Sequence, residues 1–150
     1  MRREVVLVLG IILIGLFGCL AVFGLIQLIP YGHNHVNAPV AAEPQWDSSQ
    51  TRDLAVRACF DCHSNETIWP WYSSVAPVSW LVQHDVDEGR ARLNFSEWNR
   101  QYREARGAGR TVTRGSMPPW FYLLEHPAAN LTAAEKQALA NGLQATLGGR

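Results

Sequence analysis

The five residues Cys59-Phe60-Asp61-Cys62-His63 constrain this chain more tightly than any other stretch of it. Two cysteines at this spacing with a histidine directly after them form the arrangement that attaches haem covalently. The two thiols can add to the two vinyl groups of one porphyrin as thioethers, and the next residue presents an imidazole to the iron from the same side. On a helical turn, positions i, i+3 and i+4 share a face, so Cys59, Cys62 and His63 all reach one flat ligand. A zinc site built on a cysteine pair needs further ligands, usually a second pair. The remaining cysteine, Cys19, lies inside an apolar run. A thioredoxin-like redox motif sits in a βαβ pattern, and no such pattern surrounds these residues. A plain disulfide between Cys59 and Cys62 leaves His63 unexplained.

The N-terminal part of the chain is compatible with that chemistry. Val5 to Ile29 contains no charged residue and one amide, Gln27. A helix of that length, rising about 1.5 Å per residue, spans a hydrocarbon core with some tilt. Arg2 and Arg3 precede the run, and no Lys or Arg follows until Arg52. The positive-inside rule therefore predicts a cytoplasmic N-terminus, with the chain from about residue 31 across the membrane. A cleaved signal peptide is the competing reading, but its apolar core is shorter and ends in a small-residue site. Leu16-Phe17-Gly18-Cys19 resembles a lipoprotein cleavage box only faintly, and the apolar run continues well past it. Gly10, Gly15, Gly18 and Gly24 interrupt the run, with Cys19 beside them. Small residues at such spacings allow close helix approach, so helix packing in a larger membrane complex is one reading. The other is that glycine is common in such helices.

The sequence divides into a transmembrane anchor with a short cytoplasmic N-terminus over residues 1–30, a linker over 31–45 and a c-type haem domain over 46–150. The last is enough for one domain with a modest core. Lys+Arg and Asp+Glu both number 13. This balance gives no polybasic field for nucleic acid. Acids outnumber bases over residues 41–90, whereas Arg92, Arg100, Arg103, Arg106, Arg110 and Arg114 face only Glu97 and Glu104 over 91–115. Such asymmetry can orient a domain on a partner or simply form a solvated face.

Pro30 to Pro44 reads as an extended, Pro-containing linker that carries His33 and His35, expected to be solvated. Asp47, Ser48 or Ser49 caps a helix running to the cysteine motif, with Leu54, Ala55, Ala58, Cys59 and Cys62 on one face. Pro70 denies a continuous helix to Trp69-Pro70-Trp71-Tyr72. A second helix is predicted from Pro77 with Val78, Leu81, Val82 and Val86 as its stripe and Gly89 as its terminator. A third is predicted from a Ser96 cap through Trp98 and Tyr102 to Gly107, followed by a loop to Met117. The last begins at Thr132, which pairs with Glu135 as a capping box, and buries Leu139 and Leu143. With no strand pattern and no repeat, the expected class is all-α.

Haem iron held by one histidine takes a methionine, a second histidine or nothing on its other face. The candidates are Met117, His84 and His126. Apart from Met1, Met117 is the chain's one methionine, and it sits in Gly115-Ser116-Met117-Pro118-Pro119. The prolines stiffen that segment, which suits a thioether held at a fixed distance from iron; a gap-filling core methionine suits it less. His84 is expected on an exposed helix face, and His126 at a turn before Pro127. Metal ligation is thus expected from His63 and Met117, with Cys59 and Cys62 as the covalent attachments. Trp69, Trp71, Tyr72, Trp80, Trp98, Trp120, Phe121 and Tyr122 are candidates to pack porphyrin or core, and Arg90 and Arg92 to pair with propionates.

The order of capped helix, cysteine motif, further helices, Met-Pro loop and terminal helix resembles small monohaem cytochromes c. More specifically, the chain resembles the bacterial, membrane-anchored haem-binding domain proteins. The resemblance rests on Ile29-Pro30-Tyr31-Gly32, Trp69-Pro70-Trp71-Tyr72-Ser73, Ala76-Pro77-Val78-Ser79-Trp80 and Asp85-Val86-x-Glu88-Gly89-Arg90. It continues through Leu93-Asn94-Phe95-Ser96-x-Trp98 and Met117-Pro118-Pro119. It implies one haem c and an exported domain, and it implies no particular reaction. The expected function is one-electron transfer on the periplasmic side of a bacterial inner membrane by a single-pass protein, a carrier rather than an enzyme, with its redox partners unidentified. The alternatives are a peroxidase-like haem enzyme and an accessory haem subunit of a respiratory or photosynthetic complex.

Overall fold

In the computed structural model, which describes residues Arg2–Gly148, the apolar run becomes one helix, α1 (Arg2–Ile26), with none of its residues buried. The outer limits of the anchor and of the haem domain, Met1 and Arg150, lie outside the described residues. One helix of this structure, α1, is long and apolar enough to cross a membrane. Gln27 marks its end, donating from Nε2 to the Phe23 carbonyl at 3.1 Å and so satisfying one of the last turn's orphan acceptors. The same amide group brackets Ala76, donating to its carbonyl at 3.0 Å and accepting its N–H at 2.9 Å.

The chain forms two compact units. The first comprises the residues up to His35 together with Pro70–Gln83. His35 is not solvated as expected of a linker histidine: its Nε2 lies 2.9 Å from the Ser73 carbonyl. His33 is exposed.

The second unit comprises Val36–Trp69 and the described residues from His84 onward. Its helices are α2 (Ser49–Ala58), α3 (Phe60–His63), the C-terminal part of α4 (Val78–Arg92), α5 (Ala108–Thr113), α6 (Trp120–Glu125) and α7 (Ala133–Leu147). Among the described residues there is no strand, and one isolated parallel bridge joins Ala42 to Glu97. The class is all-α. The Ser48 hydroxyl caps α2 by accepting the Thr51 N–H. Thr132 and Glu135 form the capping box of α7. These helices meet through Leu54, Ala55 and Ala58 on one side and Leu139, Leu143 and Leu147 on the other. A Cβ at Gly142 would fall on the Thr51 side chain, so glycine is what permits that closeness. Trp46, Phe60 and Phe95 stack beside them, with Phe60 and Phe95 centroids 5.5 Å apart.

Two expected elements differ. No helix runs from Ser96 to Gly107. The Ser96 hydroxyl instead accepts the Asn65 N–H at 2.9 Å, and its carbonyl receives the N–H groups of Ala41 and Ala42. Buried Asn94 bridges the Ser96 N–H and the Asn65 side chain, so long-range bonds claim the groups that a cap would use. Residues 108–113, expected as loop, are helical. Gly89 does not end its helix either; α4 continues to Arg92, and the N-terminal part of its expected buried stripe, Val78 and Leu81, is exposed.

Candidate functional site

The cysteine motif distributes its five side chains among three tasks. Cys59 breaks the helix path between α2 and α3 while its carbonyl still accepts the His63 N–H at 2.8 Å, closing one helical turn. Phe60 points into the core and is buried. Cys59, Cys62 and His63 line an apolar cavity of about 300 Å³, at the lower end of the range for small-molecule and cofactor pockets. Ala58, Leu93, Phe95, Ala108, Val112 and Leu143 supply much of its wall. Asp61 also borders the cavity, and its carboxylate accepts the Tyr122 hydroxyl at 2.6 Å.

Burial determines the state of the donors. Both thiols are free and are pushed up to about 12, chiefly by loss of solvent, so each is a neutral S–H. Burial lowers the His63 pKa, opposed by hydrogen bonds to the Leu93 and Gly89 carbonyls. Its Nδ1 lies 2.9 Å from the Leu93 oxygen and 3.0 Å from that of Gly89. Carbonyls only accept, so Nδ1 carries the proton and Nε2 keeps the lone pair. A backbone-anchored Nδ1–H is how a metal-ligating histidine is commonly oriented.

Gly89 explains how α4 comes so close. A Cβ there would collide with the Cys62 carbonyl, so only glycine lets the helix lie against the motif and present its own carbonyl to His63. The sequence held a signal for this: Val86 and Leu93, both buried, are seven residues apart, and that spacing carries the helix face past Gly89. Arg90, considered above for a propionate, is committed elsewhere. It donates to the Ser64 and Val36 carbonyls, to Asn37 Oδ1 and to Thr67 Oγ1. Arg92 borders the cavity and pairs with Glu88.

Met117 lines the same cavity and is 38% exposed. Its N–H and that of Ser116 both bond the Thr111 carbonyl, which tethers the loop to α5. Pro118, Pro119 and Tyr122 continue the wall. His84 is exposed, and His126 stacks on Tyr122 with centroids 4.0 Å apart; neither is among the cavity-lining residues. Of the aromatics considered for the porphyrin, Tyr122 borders the cavity, while Trp98 is a core residue and Trp71 and Trp120 are exposed. The Asp61–Tyr122 bond could not be read from the sequence, because it depends on the unanticipated helix α6.

The donor set fits haem. Two neutral thiols, an imidazole with a free lone pair and a thioether surround one apolar space, and sulfur and nitrogen are among the donors that haem iron takes from proteins. No match to this chain was found among curated proteins or among solved structures. Over residues 21–145, however, it matches the family described as Haem-binding domain. A cavity carrying these donors, inside a match that spans most of the chain, leaves one conclusion: the protein belongs to the haem-binding domain family.

Proposed function

We propose that the protein is a monohaem c-type cytochrome that carries single electrons, tethered by α1 to the inner membrane of a bacterium with its haem domain on the periplasmic side. The observation that carries this reading is the meeting of Cys59, Cys62, His63 and Met117 on one apolar cavity. Cys59 and Cys62 would hold the haem as thioethers, and His63 Nε2 and the Met117 thioether would hold its iron. The iron, when bound, supplies the ferric–ferrous couple. The chain orients the imidazole through the Gly89 and Leu93 carbonyls and excludes water with apolar walls. With His63 and Met117 both holding the iron, the chain would leave it no open position for a substrate. Arg92 borders the cavity beside its ion-pair partner Glu88 and would be the cation nearest to a propionate there.

Haem staining of a denaturing gel tests the attachment. Wild type should stain, and Cys59→Ala with Cys62→Ala should not; haem extracted from wild type by acidic organic solvent contradicts the thioether bonds. Met117→Ala should keep the stain, lower the reduction potential and admit carbon monoxide, because thioether sulfur favours ferrous iron more than imidazole does. Rapid carbon monoxide binding by wild type would support the peroxidase-like reading in place of the carrier.

A further inference from the structure

Asp61 and Tyr122 connect the two stretches of chain that hold the candidate iron ligands. Asp61 lies between the attachment cysteines. One of its carboxylate oxygens accepts the Tyr122 hydroxyl at 2.6 Å, and the other accepts the Ile68 N–H at 3.0 Å. The backbone at Asp61 is held as well, because its carbonyl accepts the Thr67 hydroxyl at 2.7 Å. The acceptor is therefore fixed in place before Tyr122 reaches it.

Tyr122 stands on the first turn of α6, shortly after Met117, and its N–H bonds the Pro119 carbonyl at 3.1 Å. Its ring lies flat on that of His126, with centroids 4.0 Å apart and planes 7° from parallel. Burial first, and the bond to Asp61 second, drive its pKa far above the ordinary phenol value, so the hydroxyl stays a donor. By contrast, the Met117 loop's own ties all run to α5: the Ser116 and Met117 N–H groups and the Ser116 hydroxyl share the Thr111 carbonyl, the Gly115 N–H bonds the Val112 carbonyl, and Met117 is more than a third exposed.

We propose that the Tyr122–Asp61 hydrogen bond is a clasp that keeps the Met117 loop seated and the iron closed to outside ligands, making Tyr122 a positioning residue for Met117. The proposal rests on the Met117 ligation put forward above. The clasp links the loop to the thioether-bearing turn itself, so any swing of Met117 away from the cavity pulls against a bond to a carboxylate. Such bonds are stronger than those between neutral groups.

The test uses the full-length, haem-loaded protein in mild detergent, with two readouts: the far-red sulfur-to-iron band of the oxidised form and the rate of carbon monoxide binding to the reduced form. Tyr122→Phe keeps the ring and removes only the hydroxyl. It should weaken the band and speed carbon monoxide binding about tenfold, the factor that about 1.4 kcal/mol of lost hydrogen bonding represents. Asp61→Ala should do the same, and the double variant should exceed neither single one. Asp61→Asn keeps one oxygen that can accept the Tyr122 hydroxyl but loses the charge and sets an amide NH2 against the Ile68 N–H, so it should fall between wild type and Asp61→Ala. Added to Met117→Ala, Tyr122→Phe should change nothing further, since a merely loosened cavity would still respond. If Tyr122→Phe keeps the band and the slow rate, or adds to Met117→Ala, the clasp is overturned while Met117 ligation stands. If wild type lacks the band and binds carbon monoxide rapidly, both fall. Should Tyr122→Phe lose its haem altogether, Asp61→Ala against Asp61→Asn decides by the same readouts.

Discussion

Gly89 sets two local preferences against each other. In a helix interior alanine is favoured over glycine by about 1 kcal/mol, so Gly89→Ala should on propensity alone stabilise α4. The added methyl, however, meets the backbone carbonyl of Cys62, which cannot rotate away as the tip of a flexible side chain can. Overpacking of that kind costs about 1–3 kcal/mol, and here it also displaces the carbonyl that fixes His63. Gly89→Ala should therefore lower the midpoint of denaturant unfolding and reduce haem retention together; a variant as stable as wild type contradicts the close approach. Arg90 gives a second test at this scale. Its fork bonds four acceptors from two separate stretches, 36–37 and 64–67, and a lysine offers a point charge without that geometry. Arg90→Lys should destabilise by about 1–3 kcal/mol in the same assay, with the spectrum of the remaining folded protein unchanged.

Among the elements, α7 has the most explicit start signal, and it responds to acid. The Thr132 N–H, the partnership with Arg57 and the Thr132 hydroxyl together hold Glu135 down to about 2 from 4.5. The folded-state pKa is below the unfolded one, so this contribution is fully present above about 4.5 and is lost as pH falls through about 2. Thr132→Ala should cost about 1 kcal/mol at neutral pH. Glu135→Gln should flatten the acid limb of a stability–pH curve between those two values; an unchanged limb removes Glu135 from the account. This cap was legible in the sequence because all of its partners lie within four residues, as does the Ser48 cap of α2. The stretch after Ser96 was not, since its apolar spacing suits a helix while the bonds that decide its shape come from Asn65, Ala41 and Ala42. The same contrast divides the site. Cys59, Cys62, His63 and Met117 announce themselves by residue type and spacing. Gly89 and Asp61 act through neighbours that only the fold supplies.

For the whole molecule, the arginines that open α1 and the apolar run after them predict a single orientation. A reporter active only in the periplasm, fused to the C-terminus, should work, and protease added to spheroplasts should remove the soluble part while sparing the first residues. A soluble form beginning near residue 20 or 31 in periplasmic extracts would show processing instead. Phe60 lies between Cys59 and Cys62 and is at the same time packed in the core with Trp46 and Phe95. Cofactor loading and core closure therefore draw on the same turn of backbone, next to a cavity that an empty protein would have to leave unpacked. Under the function proposed above, a copy that never received haem is a copy that never finished folding, and cellular proteases act on unfinished chains. The amount of this protein in a cell should then fall when its haem supply falls.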